Sequence, residues 1–479
     1  MVFSSLLFIF AFLVPQMLIY LLLRKTKARN ILLLIFSLIF YAFGGPLYLI
    51  LLLLEAFLSW FTAGKIGETQ FSKMKKRWLI MELVSMFGLL VVFKYLTFIL
   101  TNIKWFTGWP DFIPEIVLPI GISFYTFQLV SYVIDVYRGE VSYQKKYWKV
   151  LLYASLFHQC IAGPIVRYKT VAEEIEEREV RLDDVAYGVR RFAVGLAKKA
   201  ILANGCAAVA DKLVPENLEI LAKASTLSMW LGMAAYMLQI YLDFSAYSDM
   251  AIGMGRMVGF HYLENFDYPY EAHTVQGFWR KWHISLSSFF RDYVYIPLGG
   301  SRRGSARTIF NMFIVWALTG MWHGASWNFI LWGLYFFVFL TLERLFLGKL
   351  LEKNGFSRFI GHLYTLIVVY FGWVLFRFTD TKALIEVVKG LFMQGHALYS
   401  LETQSVALNN LFFLAAALLA CFPLGHRIRE AMMKRAQRKG GFFLHVTGLT
   451  DMITPAVLLI LSVLALVGNS YNPFLYFRF

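Results

Sequence analysis

The chain has 479 residues, 59% of them hydrophobic, 18% aromatic and only 16% charged, which excludes an ordinary water-soluble globular fold and indicates a polytopic membrane protein. The formal net charge of +16 does not point to nucleic acid, because the lysines and arginines sit in short clusters between apolar runs and act as orientation signals toward anionic membrane lipid. Cys160, Cys206 and Cys421 show no C-x-x-C pairing and no nearby histidine spacing, which argues against a disulfide framework and against a metal site. The first apolar run, Phe3 to Leu23, is followed by Arg24, Lys25, Lys27 and Arg29, so it reads as a retained span with its amino end outside the cytosol. Two further runs, 31–43 and 47–63, are split by Gly44-Gly45-Pro46, a predicted outer turn between helices. The basic cluster around 65–77 then precedes a run at 78–100, and 116–137 re-enters with a predicted kink at Pro119.

The run 151–166 is apolar but short and contains His158, so it reads as a segment that dips into the membrane and returns. The strongly charged stretch 167–191 predicts cytosolic surface helices. Apolar runs follow at about 192–210, 226–242, 309–342, 362–376, 409–424 and 453–468, for a total on the order of ten to thirteen spans. The expectation is an all-α membrane protein with a single membrane-embedded domain over residues 1–479.

One long run carries chemistry. Thr308 to Leu342 contains no Asp, Glu, Lys or Arg, yet His323 lies near its middle, inside Gly320-Met-Trp-His-Gly-Ala-Ser-Trp327. The run is far longer than the roughly 20 residues that cross a bilayer, so it must be broken or paired, and the glycines place the break at the histidine. Ionisable groups at such depth face a protein interior or a water-filled path. The plainer alternative is a histidine that hydrogen-bonds a neighbouring helix.

Between Asp243 and Arg307, aromatic and charged residues interleave as nowhere else in the chain. A helical reading of 278–292 puts Trp279, His283 and Leu286 along one face. Arg280, Lys281 and Arg291, with Arg302, Arg303 and Arg307, suit a phosphate-bearing donor arriving from the cytosol, or equally an anchor to lipid headgroups. A neutral imidazole takes a hydroxyl proton and returns it, which fits general-base chemistry. No G-x-S-x-G, Walker or dinucleotide motif is present.

The blocks 241–249, 278–292 and 319–327, with Pro297-Leu-Gly-Gly300, Leu118-Pro-Ile-Gly-Ile-Ser-Phe-Tyr-Thr-Phe127 and Gly163-Pro-Ile-Val-Arg167, resemble those of the membrane-bound O-acyltransferase family, and within it the bacterial alginate O-acetyltransferase membrane-subunit branch. The resemblance implies a bundle of membrane helices around a reaction tunnel, with His323 in the place of the essential histidine and His283 at a second polar position. Trp322, Asp243 and Asp292 are the expected supporting residues of that core. It also implies a cytosolic acyl thioester donor, acetyl-CoA in this reading, as substrate rather than bound cofactor, and a separate extracytoplasmic polysaccharide acetyltransferase as partner, in the bacterial cytoplasmic membrane.

By the positive-inside count the tail 471–479 lies outside the cytosol. Aromatic tails are associated with acyl relay in the related teichoic-acid D-alanylation machinery, so Tyr476 is a candidate acyl carrier, with an interfacial aromatic anchor as the alternative. Rival functions are a D-alanyl or lipid O-acyltransferase and, from another class, a proton-coupled transporter using His283 and His323.

Overall fold

The computed structural model describes residues 2–160, 163–351, 353–439, 441–468 and 472–473. Among them all regular structure is helical, with no strand, and the fold is that of an all-α polytopic membrane protein. Six helices are long and apolar enough to cross a bilayer: Pro46–Glu68, Ser72–Thr107, Leu182–Leu213, Trp327–Leu351, Gly355–Arg377 and His445–Gly468. The pair Leu401–Asn409 and Leu411–Ala420, bent by 59°, makes a seventh if counted as one span.

This is fewer than the number of apolar runs. The 17-residue helices Thr26–Ala42 and Ile122–Arg138 account for part of the difference. Such a helix rises about 26 Å, short of the roughly 30 Å hydrocarbon layer.

Packing divides the chain into two compact units. The first comprises residues 1–192 and 248–264. Its helices Thr26–Ala42 and Pro46–Glu68 are joined through the expected Gly44-Gly45 turn. Pro119 does not kink a helix as expected: it precedes the one that starts at Ile122, whose first turns are fed by the carbonyls of Pro119 and Gly121. The run around His158 folds as two short helices, Tyr147–Ser155 and Phe157–Cys160, and Tyr262 Oη lies 2.7 Å from His158 Nδ1. Arg178 ties this unit together from the charged stretch. Its guanidinium donates to the carbonyl of Val258 at 2.9 Å and to Asn30 Oδ1 at 2.6 Å. The charged stretch itself forms a short helix, Tyr168–Glu176, and a second that begins at Leu182 and continues into the span ending at Leu213.

The second unit comprises residues 193–247 and 265–479 and is built on an aromatic core. Trp279 meets Trp316 at 4.9 Å, Phe336 at 4.8 Å and Trp332 at 5.4 Å between ring centroids, and Trp282 meets Trp373 at 4.8 Å. Large rings in edge-to-face contact fill volume with few rotatable bonds, which gives this unit a stiff interior. The sequence-predicted site residues that the structure describes all belong to it.

Candidate active site

The charge-free run breaks at the histidine. One helix, Ser305–His323, ends on His323; the chain turns through 324–326 and returns as Trp327–Leu342. The two arms close tightly because glycines face each other. A Cβ on Gly320 would lie 2.4 Å from the carbonyl oxygen of Phe329, and one on Gly333 would lie 2.4 Å from that of Trp316. The returning arm is fixed by Asn328, whose side-chain amide donates to the carbonyls of Leu375 and Phe376 at 3.3 and 3.2 Å. Those carbonyls belong to the last turn of Gly355–Arg377, where no intrahelical donor reaches them.

His323 is thereby held at a helix end with 7% of its surface exposed. Its ring stands nearly perpendicular to Trp332 at 4.9 Å, Trp322 at 5.0 Å and Phe376 at 5.2 Å. Trp332 is fully buried, and its indole N–H finds no acceptor among the described residues. An unsatisfied buried donor costs about 1–3 kcal/mol, so an N–H left open beside a histidine marks a place where an acceptor is expected.

His283 reaches the same centre by a different route. Glu343, buried, accepts the backbone N–H groups of Val275 and Gln276 at 2.5 and 2.8 Å, while Thr274 Oγ1 accepts that of Gly277 at 2.9 Å. Together they cap the amino end of Val275–Lys281, where a carboxylate also complements the helix dipole. The continuous helix expected across 278–292 does not form. His283 adopts left-handed backbone geometry with φ +46°, and a second short helix, Ile284–Phe290, begins after it.

Asn265 explains the break. Its carbonyl takes the Ile284 N–H at 2.9 Å, and its Oδ1 accepts from the Ser285 N–H at 3.2 Å and the Ser285 hydroxyl at 2.8 Å. Because that oxygen accepts, His283 Nδ1, at 3.2 Å from it, carries the proton and donates. Burial pushes the His283 imidazole down to about 3, so the ring is neutral and Nε2 is its lone-pair nitrogen. The ring also lies 5.8 Å from Trp322, which thus contacts both histidines.

Asp243 is buried and pairs with Lys199 Nζ at 2.8 Å, each side chain 1% exposed. Asp292 is half-buried and bonded to its neighbour Arg291 at 2.7 Å, on the turn that follows the His283 segment. The basic candidates are peripheral: Arg280, Arg302 and Arg303 are exposed, and Lys281 faces Asp267 at 3.6 Å. The Pro297-Leu-Gly-Gly300 step is anchored by Asn311, whose amide donates to the Gly300 carbonyl at 2.9 Å, and Gly299 and Gly300 take positive φ values of 107° and 55° that suit glycine. Tyr476 lies outside the described residues.

The structure therefore joins His323, Trp322 and His283. It adds Trp332, Phe376, Asn265 and Lys199, none singled out from sequence. Lys199 alone carried a legible signal, as an ionisable residue inside the apolar run at 192–210. Among the described residues no cluster of His, Cys, Asp and Glu has the geometry to hold a metal.

Two buried histidines that share Trp322, set in the aromatic interior of a multi-pass helical protein, are the arrangement expected of a membrane-embedded enzyme. Residues 63–383 match the membrane-bound O-acyltransferase family, and the chain belongs to it. It is 36% identical over the full length of both chains to the probable alginate O-acetylase AlgI of Pseudomonas putida. It is 34% identical to the peptidoglycan O-acetyltransferase of Helicobacter pylori, over 82% of this chain and 80% of that one. A more distant relative is the teichoic acid D-alanyltransferase of Bacillus subtilis, 26% identical over 54% of this chain and 68% of that one. The protein is an acyltransferase, and the transporter alternative gives way to that assignment. The family match spans Asp243, His283, Trp322 and His323 and ends before the carboxyl-terminal tail.

Proposed function

We propose that this chain takes an acetyl group from a thioester donor, acetyl-CoA, at the cytosolic face of a bacterial cytoplasmic membrane and passes it across for O-acetylation of an extracytoplasmic polysaccharide. His323 acts as the general base. Its imidazole accepts the proton of an acceptor hydroxyl as the oxygen attacks the thioester carbonyl carbon. The C–S bond then breaks, the thiolate recovers that proton from the imidazolium, and an ester and a free thiol leave with no net proton change. His283, neutral and with Nε2 unprotonated, is the second polar group of the centre. The exposed guanidinium groups of Arg280, Arg302 and Arg303 serve to gather the phosphates of the donor.

The observation that carries this reading is the seat of His323 at the break of an apolar hairpin, buried among Trp322, Trp332 and Phe376. The acetyl group rests on the O-acetyltransferase relatives, two of which carry the polymers alginate and peptidoglycan in their names. Tyr476 is the proposed immediate acceptor and acyl carrier, which hands the group to a partner acetyltransferase outside. The deciding experiment measures acetyl esters on the exported polymer after His323→Ala. Ester must disappear while the variant inserts at normal abundance, and persistence of ester overturns the reading. Mass analysis of the purified protein after incubation with labelled acetyl-CoA tests donor and carrier together.

A further inference from the structure

The carboxyl-terminal segment enters the described structure at Asn472 and Pro473, and both touch one short stretch of the second unit. Asn204 Nδ2 donates to Asn472 Oδ1 at 3.1 Å, and Lys199 Nζ donates to the carbonyl oxygen of Pro473. Lys199 is the same residue that pairs with Asp243 inside the span Leu182–Leu213. An ammonium has three protons to place, and at such depth each unmet one is costly. A proline carbonyl is a suitable receiver, because proline offers no N–H and its carbonyl is that residue's only backbone polar group.

The local helix geometry favours the arrangement. Lys198–Ala203 forms a widened turn with i to i+5 hydrogen bonding, which brings positions five apart, such as 199 and 204, nearly into line. In a regular α-helix those two side chains would diverge. Widened turns of this kind recur at functional sites, and this one is also packed by the helix Phe442–Gly468 that leads into the tail.

We infer that Lys199, oriented by Asp243, and Asn204 form a clamp that seats the chain's own carboxyl-terminal segment, and that they are positioning residues for acyl transfer. The inference rests on the tail-relay reading only for its consequence in catalysis; the clamp itself stands on the contacts to Asn472 and Pro473. Tyr476 follows Pro473 by three residues, a reach of at most about 11 Å of chain. A tail held at Pro473 therefore keeps Tyr476 within that distance of the clamp.

The test uses full-length protein in membranes, with Cys160, Cys206 and Cys421 replaced by alanine and Asn204→Cys combined with Asn472→Cys. Oxidation is expected to join the two cysteines, identified by peptide mass, and Lys199→Met in the same background is expected to slow the cross-link several-fold. Separately, Asn204→Ala and the neutral pair Lys199→Met/Asp243→Asn are expected to lower kcat for polymer acetylation with KM for acetyl-CoA unchanged. A purely structural role would instead reduce abundance and turnover together. Absence of the cross-link in normally inserted protein whose cysteines still react with a small alkylating reagent overturns the clamp, as does a cross-link rate indifferent to Lys199→Met. A cross-link that forms while Tyr476→Phe leaves polymer esters intact supports the clamp and removes the relay, so the two ideas fail separately.

Discussion

Gly320 and Gly333 face each other across the histidine hairpin so closely that a methyl group on Gly333 would lie 3.2 Å from the Cα of Gly320 and 2.4 Å from the Trp316 carbonyl. The atoms in the way are backbone, which cannot swing aside as a side-chain tip does. Separation of the two arms is the only relief, and it moves His323 away from Trp332. Gly320→Ala and Gly333→Ala are therefore expected to cost on the order of 1–3 kcal/mol each by overpacking. Acetyl-ester formation should fall further than membrane abundance does, measured side by side. Gly355→Ala is the control, since a Cβ there meets nothing within 4 Å.

Trp332 offers a finer probe of the chamber. Its ring packs on His323 at 4.9 Å, and its buried Nε1–H has no acceptor among the described residues. A donor held in that position suits the charge that develops on a thioester oxygen. Removing one such donor typically lowers kcat by about a hundredfold or more. Trp332→Phe keeps an aromatic ring and deletes the N–H, so kcat should drop by an amount of that order with KM for acetyl-CoA little changed. Turnover that falls only in proportion to protein abundance would assign Trp332 to packing alone.

Much of this was legible in the sequence for identifiable reasons. The membrane class follows from composition, and the break at His323 follows from an uncharged run too long for one span with glycines at the histidine. The interruption at His283 was not legible, because its cause is Asn265, a residue outside the helical block whose carbonyl and side chain capture Ile284, Ser285 and the imidazole. The partner of Asp243 was hidden for a similar reason. Helical periodicity reports which face a residue occupies, but not which distant lysine will meet it, and Lys199 comes from a separate span. Hydropathy also does not separate a helix packed in protein from one that faces outward, as the runs 31–43 and 116–137 show: helix Thr26–Ala42 keeps Ile31, Ile35 and Ile39 exposed. Helix Ile122–Arg138 is buried nearly all round, which a hydropathy reading cannot distinguish from a lipid-facing helix.

The exposed basic residues lead to a prediction of a different kind. Arg280, Arg302 and Arg303 lie at the surface, where charge is screened by salt and contributes little to folding. Replacing all three with glutamine is expected to leave abundance unchanged and to raise KM for acetyl-CoA several-fold, with kcat retained once the donor saturates. The wild-type KM should rise with ionic strength, and the triple variant should lose most of that dependence. A KM equally sensitive to salt in both proteins would assign these arginines to lipid headgroups.

Asn265 and His283 give the sharpest test of the second histidine. Asn265 Oδ1 gathers the His283 ring, the Ser285 N–H and the Ser285 hydroxyl, so Asn265→Ala removes three hydrogen bonds at once from a segment whose left-handed residue already costs about 1–2 kcal/mol. At roughly 1 kcal/mol for each bond, the loss approaches 3 kcal/mol, enough to lower the thermal midpoint in detergent by several degrees. Asn265→Asp keeps an acceptor for all three donors and should recover most of the stability. It also places a carboxylate beside Nδ1, which raises the basicity of the His283 ring and makes protonation at Nε2 easier. If a neutral His283 is what the reaction requires, Asn265→Asp will be stable yet slow, with activity that rises at higher pH as the proton on Nε2 is lost. Full activity in Asn265→Asp at every pH would show that the charge state of His283 is irrelevant and that Asn265 serves the fold alone.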